Sequence, residues 1–178
     1  MALGATIHHF AVQLSDADRS AYESLDFKAA RHPSETAEAL VSRVLAYCLE
    51  YTEGIAFSRG LAEPDEPPIL VRDLTGALKS WIEVGAPDAA RLHKAAKSAP
   101  RVAVYTARPD RLRQKLAGEK IHRADALELY AVDRNLLDAL VKHLERRMSF
   151  DLSVTGGHVF VSLGDQTLDG AVERFTLQ

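Results

Sequence analysis

From Ala5 to Leu14 apolar and polar positions partly alternate, with Ile7, His9 and Ala11 on one side and His8, Phe10 and Val12 on the other. A period of two predicts a strand, and Ser15-Asp16-Ala17-Asp18 behind it reads as a turn. Leu25-Asp26-Phe27-Lys28-Ala29 alternates again and predicts a partner strand, giving an N-terminal hairpin over residues 1–31. The period then lengthens. His32-Pro33-Ser34-Glu35 carries helix-start signals, Pro33 suiting a first helical position where its missing N–H has no partner to lose. Ala37, Val41, Val44, Leu45 and Cys48 fall on one face of a helix running to about Tyr51, and Gly54 supplies a stop.

Three short strands follow, at Ile55-Ala56-Phe57, Ile69-Leu70-Val71 and Ser80-Trp81-Ile82-Glu83-Val84, the first two separated by the proline-rich acidic loop 63–68. Pro87 and Asp88 open a second helix extending to about Ser98, and Arg101-Val102-Ala103-Val104-Tyr105 reads as a buried strand. A short helix from Pro109 to Leu116, a strand from Leu127 to Val132 and a helix from Asp133 to Arg147 continue the alternation. From Ser149 onward the pattern becomes a β-meander: strands at 150–154 and 158–163 flank Gly156-Gly157, and a last strand runs from Val172 to Leu177. These elements predict one mixed α/β domain over residues 1–178, with a hairpin (1–31), a helix-strand-strand-strand-helix-strand core (32–106), further α/β elements (107–148) and a meander (149–178).

Composition narrows the class. A chain of 178 residues with 47% apolar and 26% charged residues is ordinary globular protein, not a disordered or disulfide-built one. Cys48 is the single cysteine, so no intrachain disulfide can form, and a cytoplasmic location is expected. No apolar run approaches the length of a membrane span. The net charge of −3 selects no partner by itself. A monomer is expected, although an edge strand such as 172–177 could equally pair with another subunit.

No P-loop, Rossmann glycine fingerprint, HExxH or GxSxG pattern occurs. The adjacent His8 and His9 point to opposite faces of a strand, so one ion cannot easily use both. The acids carry more. Asp73 ends one predicted strand and Glu83 lies near the end of the next, so the two could converge on a hard divalent cation; the plain alternative has both facing solvent. Glu83 has Trp81 on its own face, which predicts burial. On the first helix Glu38 is better placed to face the sheet, whereas Glu35 reads as a first-turn acid favoured by the helix dipole. Lys94, on the second helix, could stabilise charge beside such a pair, or could simply be solvated.

The residues Ala30-Arg31-His32-Pro33-Ser34-Glu35-Thr36 with Glu38, Arg59-Gly60-Leu61 with Asp65-Glu66-Pro67, and Trp81-Ile82-Glu83-Val84-Gly85 through Pro87-Asp88 resemble the YaeQ family of small bacterial proteins over nearly the whole chain. That family is similar in fold to the PD-(D/E)XK nuclease superfamily. The resemblance implies a Mg²⁺-dependent hydrolysis of phosphodiester bonds. Asp73 and Glu83 would be the metal ligands, Lys94 would replace the motif lysine, and Glu38 or Glu35 would be the helix acid. One departure stands out: Gly85 occupies the position two after Glu83, where the motif carries lysine. Arg31, Arg72, Lys79, Arg91 and Lys97 would supply basic walls for nucleic acid. The rival expectation is a non-catalytic binding or regulatory module, contacting a protein through the acidic cluster and the meander.

Overall fold

The structure is a computed structural model that describes residues 4–58 and 65–178. β1 (Thr6–Asp16) and β2 (Ala21–Arg31) form the expected antiparallel hairpin, in continuous register from Thr6 opposite Arg31 to Asp16 opposite Ala21. Their alternation puts Phe10, Val12, Leu14, Leu25 and Ala29 into the core. Both strands are longer than the sequence pattern predicts, because the hairpin ladder continues through exposed polar positions such as Glu23 and Ser24.

α1 (Ala37–Leu49) starts later than Pro33 suggests. Thr36 remains extended and its side chain accepts the Ala39 N–H at 3.1 Å, so the hydroxyl, not the proline, sets the first turn. β3 (Ile55–Phe57), β4 (Ile69–Arg72) and β5 (Leu78–Val84) run antiparallel in sequence. α2 (Ala89–Ser98), capped by the Asp88 carboxylate, returns the chain to β6 (Arg101–Thr106), parallel to β5; α3 (Pro109–Leu116) then leads to β7 (Glu128–Val132), parallel to β6. α4 (Arg134–Lys142) is capped by Asp133 but ends well before Arg147. Beyond it Met148, Phe150, Leu152 and Val154 are buried at every second position, and this strand period outcompetes further helix to make β8 (Arg147–Thr155). β9 (His158–Leu163) and β10 (Gln166–Phe175) complete the meander, the last strand starting earlier than Val172.

The described strands join in one ten-stranded sheet, ordered β2-β1-β8-β9-β10-β7-β6-β5-β4-β3. It is nearly closed. Phe27 on edge strand β2, Tyr47 on α1 and Phe57 on edge strand β3 stack in a chain, with ring centroids 4.5 and 4.7 Å apart, so the two edges meet across α1. One face of the sheet packs on α1 and α4 through Leu40, Val44, Leu45, Ile82, Leu136 and Val161. The other face packs on α2 and α3 through Trp81, Leu92, Val104, Leu112 and Leu129. The carboxyl ends of the parallel strands β5 and β6 therefore open at one rim between helices of both layers, the place where open α/β sheets offer a crevice.

Candidate functional site

The hairpin of β4 and β5 decides where the predicted acid pair lies. Arg72 is opposite Leu78, so Asp73 sits in the turn at the start of β5, while Glu83 lies five residues along that strand near its far end. At about 3.3 Å per residue the two are roughly 16 Å apart. The structure does not bring them together. Asp73 organises its own turn instead: one carboxylate oxygen accepts from the Thr75 amide, the Thr75 hydroxyl and the Ala77 amide, and Lys79 lies 3.5 Å away. The Thr75 hydroxyl, aided by these amides and Lys79, holds the Asp73 carboxyl down at about 2.

Glu83 is buried, as its place beside Trp81 predicts. Both face the α2 layer. The carboxylate oxygen Oε1 accepts the Trp81 indole N–H at 2.7 Å and the Arg91 Nε–H at 2.5 Å. Arg91 also donates to the Glu66 carbonyl at 2.8 Å and lies over the Trp81 ring. Loss of hydration raises the Glu83 pKa even though Arg91 and Trp81 oppose the shift. One turn further along α2, Lys94 pairs with Asp65, and that ammonium holds the Asp65 carboxyl below its ordinary value. The acid that joins Glu83 in the neighbourhood of α2 is therefore Asp65, not Asp73.

As they stand these groups do not fit a shared divalent ion. Asp73 is remote, and Glu83 and Asp65 each already hold a cation from α2. Gly85 has φ +85°, a left-handed conformation that disfavours any L side chain, so the backbone at this position favours glycine.

The helix acids divide differently from the sequence reading. Glu35 lies before the N-cap, not in the first turn, and is buried in a two-pronged pair with Arg43, at 2.7 and 2.8 Å. Arg43 also donates to the Ala30 carbonyl at 2.8 Å. Glu35 is thus a brace between α1 and β2. Glu38 is the first-turn acid, and it accepts from Arg134 at 2.5 Å and Arg108 at 3.4 Å.

Glu38 opens onto a cleft of about 300 Å³ at the rim of β5 and β6. Its floor is Val84, Gly85, Ala86, Thr106 and Ala107; α1 and its N-cap contribute Ser42 and Thr36; α3 and the residue before it contribute Arg111, Lys115 and Arg108. Arg111 and Lys115, four positions apart on α3, share one face, and Arg108 is the residue that precedes the helix. They are not among the expected basic walls: Arg31 donates to the Glu35 carbonyl, Arg72 to the Gly76 carbonyl, and Lys79 and Arg91 pair with Asp73 and Glu83. The spacing of Arg108, Arg111 and Lys115 was visible in sequence, but not the cleft it faces.

The fold and site define a mixed α/β protein with a large, nearly closed sheet, four helices among the described residues and a polar rim cleft. The chain belongs to the YaeQ family, whose model, described as YaeQ protein, matches residues 1–172. It is 32% identical over 164 residues to the uncharacterized YaeQ proteins of Salmonella typhi and Escherichia coli K12, covering 91% of each chain. The crystal structure of YaeQ protein from Xanthomonas axonopodis pv. citri superposes with a TM-score of 0.86 at 30% identity, over 97% of this chain and 98% of that one. The YaeQ protein from Pseudomonas syringae gives 0.84 at 32% identity, over 97% and 96%. No helix among the described residues is long and apolar enough to cross a membrane.

Proposed function

We propose that this chain is a non-catalytic binding module that keeps a nuclease-like core. The observation that carries the reading is the Arg91 guanidinium on the Glu83 carboxylate at 2.5 Å, with Lys94 holding Asp65 beside it. A Mg²⁺ ion there would compete with the Arg91 guanidinium for the buried Glu83 carboxylate, and a buried carboxylate that already holds a cation gains little from exchanging it. The same positive charges that a nuclease would turn toward metal-bound substrate are here spent on the protein's own acids. In this reading the binding surface is the cationic cleft between α1 and α3, and the partner is anionic, which favours a phosphate-bearing ligand over an acidic-cluster contact with protein.

The rival reading, Mg²⁺-dependent phosphodiester hydrolysis, is favoured by the gathering of Glu83, Asp65 and Lys94 at one end of β5. Calorimetric titration of Mn²⁺ separates the two. Wild type, Asp73→Asn and Glu83→Gln are all expected to show no saturable binding up to about 1 mM, the range of weak hard-cation sites. Saturable binding by wild type that disappears in Glu83→Gln would overturn the binding-module reading and make Glu83 a metal ligand. Loss in Asp73→Asn alone would place the ion at the β4–β5 turn.

A further inference from the structure

The cleft at the carboxyl ends of β5 and β6 carries a local excess of positive charge on a chain whose net charge is −3. Four cations converge on it or border it: Arg108, Arg111, Lys115 and Arg134. Two carboxylates answer them. Glu38 is shared between Arg108 and Arg134, and Asp138 pairs with Arg134 at 3.3 Å. Arg111 makes no ion pair among the described residues, and the Lys115 ammonium donates to the Ala86 carbonyl at 2.7 Å without a carboxylate. Two positive charges are therefore left over, on adjacent turns of one helix face. Elsewhere Arg43, Arg91 and Arg101 are each held by carboxylates, while Arg31, Arg72 and Arg123 donate to backbone carbonyls outside any comparable cleft.

The shape agrees with the charge. The floor is built from small residues, and the position where Gly85 lacks a side chain faces open space. Ser42 and Thr36 bring hydroxyls from the α1 wall. A volume of about 300 Å³ is at the lower bound for small-molecule pockets and too small for a bulky ligand. A carboxylate offers two acceptor oxygens; a phosphoryl group offers three with up to two charges, and so uses a fork of arginine donors, an ammonium and a hydroxyl together.

We propose that the α1–α3 cleft is a binding site for the phosphoryl group of a small phosphorylated molecule, held by Arg111 and Lys115 with Arg108 completing the cradle. Glu38 acts as a positioning residue, keeping Arg108 and Arg134 on the rim through its two ion pairs. The inference rests on the binding-module reading, but its test does not involve the Glu83 side of β5, so either can fail alone.

The experiment is calorimetric titration of the full chain at low salt with inorganic phosphate, a nucleoside 5′-monophosphate and the same nucleoside without phosphate. Wild type should bind both phosphate carriers saturably below about 10 mM and the bare nucleoside not at all. Tighter binding of the monophosphate assigns the phosphoryl group to an organic carrier; equal binding assigns free phosphate. Arg111→Ala and Lys115→Ala should each weaken binding about tenfold, the equivalent of one lost charge-assisted contact. Both side chains are exposed, so these variants should fold, with circular dichroism as the check. Absence of saturable phosphate binding, or binding unchanged in both variants, overturns the proposal.

Discussion

The two sides of the β5 carboxyl end use the same residue types to opposite effect. On the α2 side, arginine and lysine are matched one to one with acids: Arg91 with buried Glu83, and Lys94 with Asp65. On the α1–α3 side, Arg108, Arg111, Lys115 and Arg134 face only Glu38 and Asp138. In the first pair the matched charge is architecture, because the Arg91 guanidinium keeps the buried Glu83 carboxylate from standing alone, whereas the second pair is exposed. Surplus charge at a rim cleft costs little while hydrated and remains available to an anion. The comparison teaches that the count of cations near a site says less than how many of them are already answered.

Variants can break this contrast. The largest effect is expected at the α1 brace, where Arg43→Met leaves the Glu35 carboxylate buried and unpaired. A loss of about 3–5 kcal/mol in urea unfolding should follow, much of it recovered in the double variant with Glu35→Leu. If Arg43→Met were as stable as wild type, the pair would not be the brace its geometry suggests.

Arg91→Ala should come next, with a loss of about 2–3 kcal/mol at neutral pH from the stranded Glu83 carboxylate. Its pH dependence has a defined sign. The folded pKa of Glu83 lies above its ordinary 4.5, so the folded state holds this proton more tightly than the unfolded chain. Stability from that proton is full below about 4.5 and is lost as pH rises through the folded value. Removing Arg91, which opposes the shift, widens that window. The deficit of Arg91→Ala should therefore shrink at pH 4 and grow toward pH 7, measured by unfolding at both; a pH-independent deficit would mean that Glu83 is not the stranded group.

Gly85→Lys should cost about 1–2 kcal/mol because an L side chain is forced to φ +85°. It should not confer phosphodiesterase activity in a Mg²⁺-containing nuclease assay. Asp73→Asn should sharpen the acid limb alone. The carboxyl at about 2 when folded and 3.8 in the unfolded chain contributes stability that is present above 3.8 and lost as pH falls through 2, so wild type and variant should converge in acid unfolding near pH 2. The smallest effect belongs to the surplus side: Arg111→Ala and Lys115→Ala should change stability by less than about 0.5 kcal/mol, and a larger loss would show that these cations are structural after all.

Much of the fold was legible. Alternation marked β1 and β2, short apolar runs marked β5, β6 and β9, and caps at Asp88 and Asp133 marked α2 and α4, because periodicity and capping are properties of a few neighbouring residues. Errors fell at boundaries. Pro33 was compatible with a helix start but Thr36 had the capping hydroxyl, and the helix pattern after Asp133 ran into residues whose strand period was stronger. The candidate site was legible only in part: Trp81 correctly predicted a buried Glu83, but nothing local told that Asp73 lies at the other end of the hairpin, since strand register is fixed by pairing across the turn.

By itself the sequence determined a mixed α/β chain with an N-terminal hairpin and a C-terminal meander, and the burial of Glu83. Only the tertiary structure decided which charges answer one another. Arg134 reaches Glu38 across 96 residues of chain and Lys94 reaches Asp65 across 29, and at the rim cleft Arg111 and Lys115 are left without a carboxylate among the described residues. The physical reason is range: the signals that form helices and strands act over a few positions along the chain, whereas an ion pair depends on a separation of a few ångströms in space.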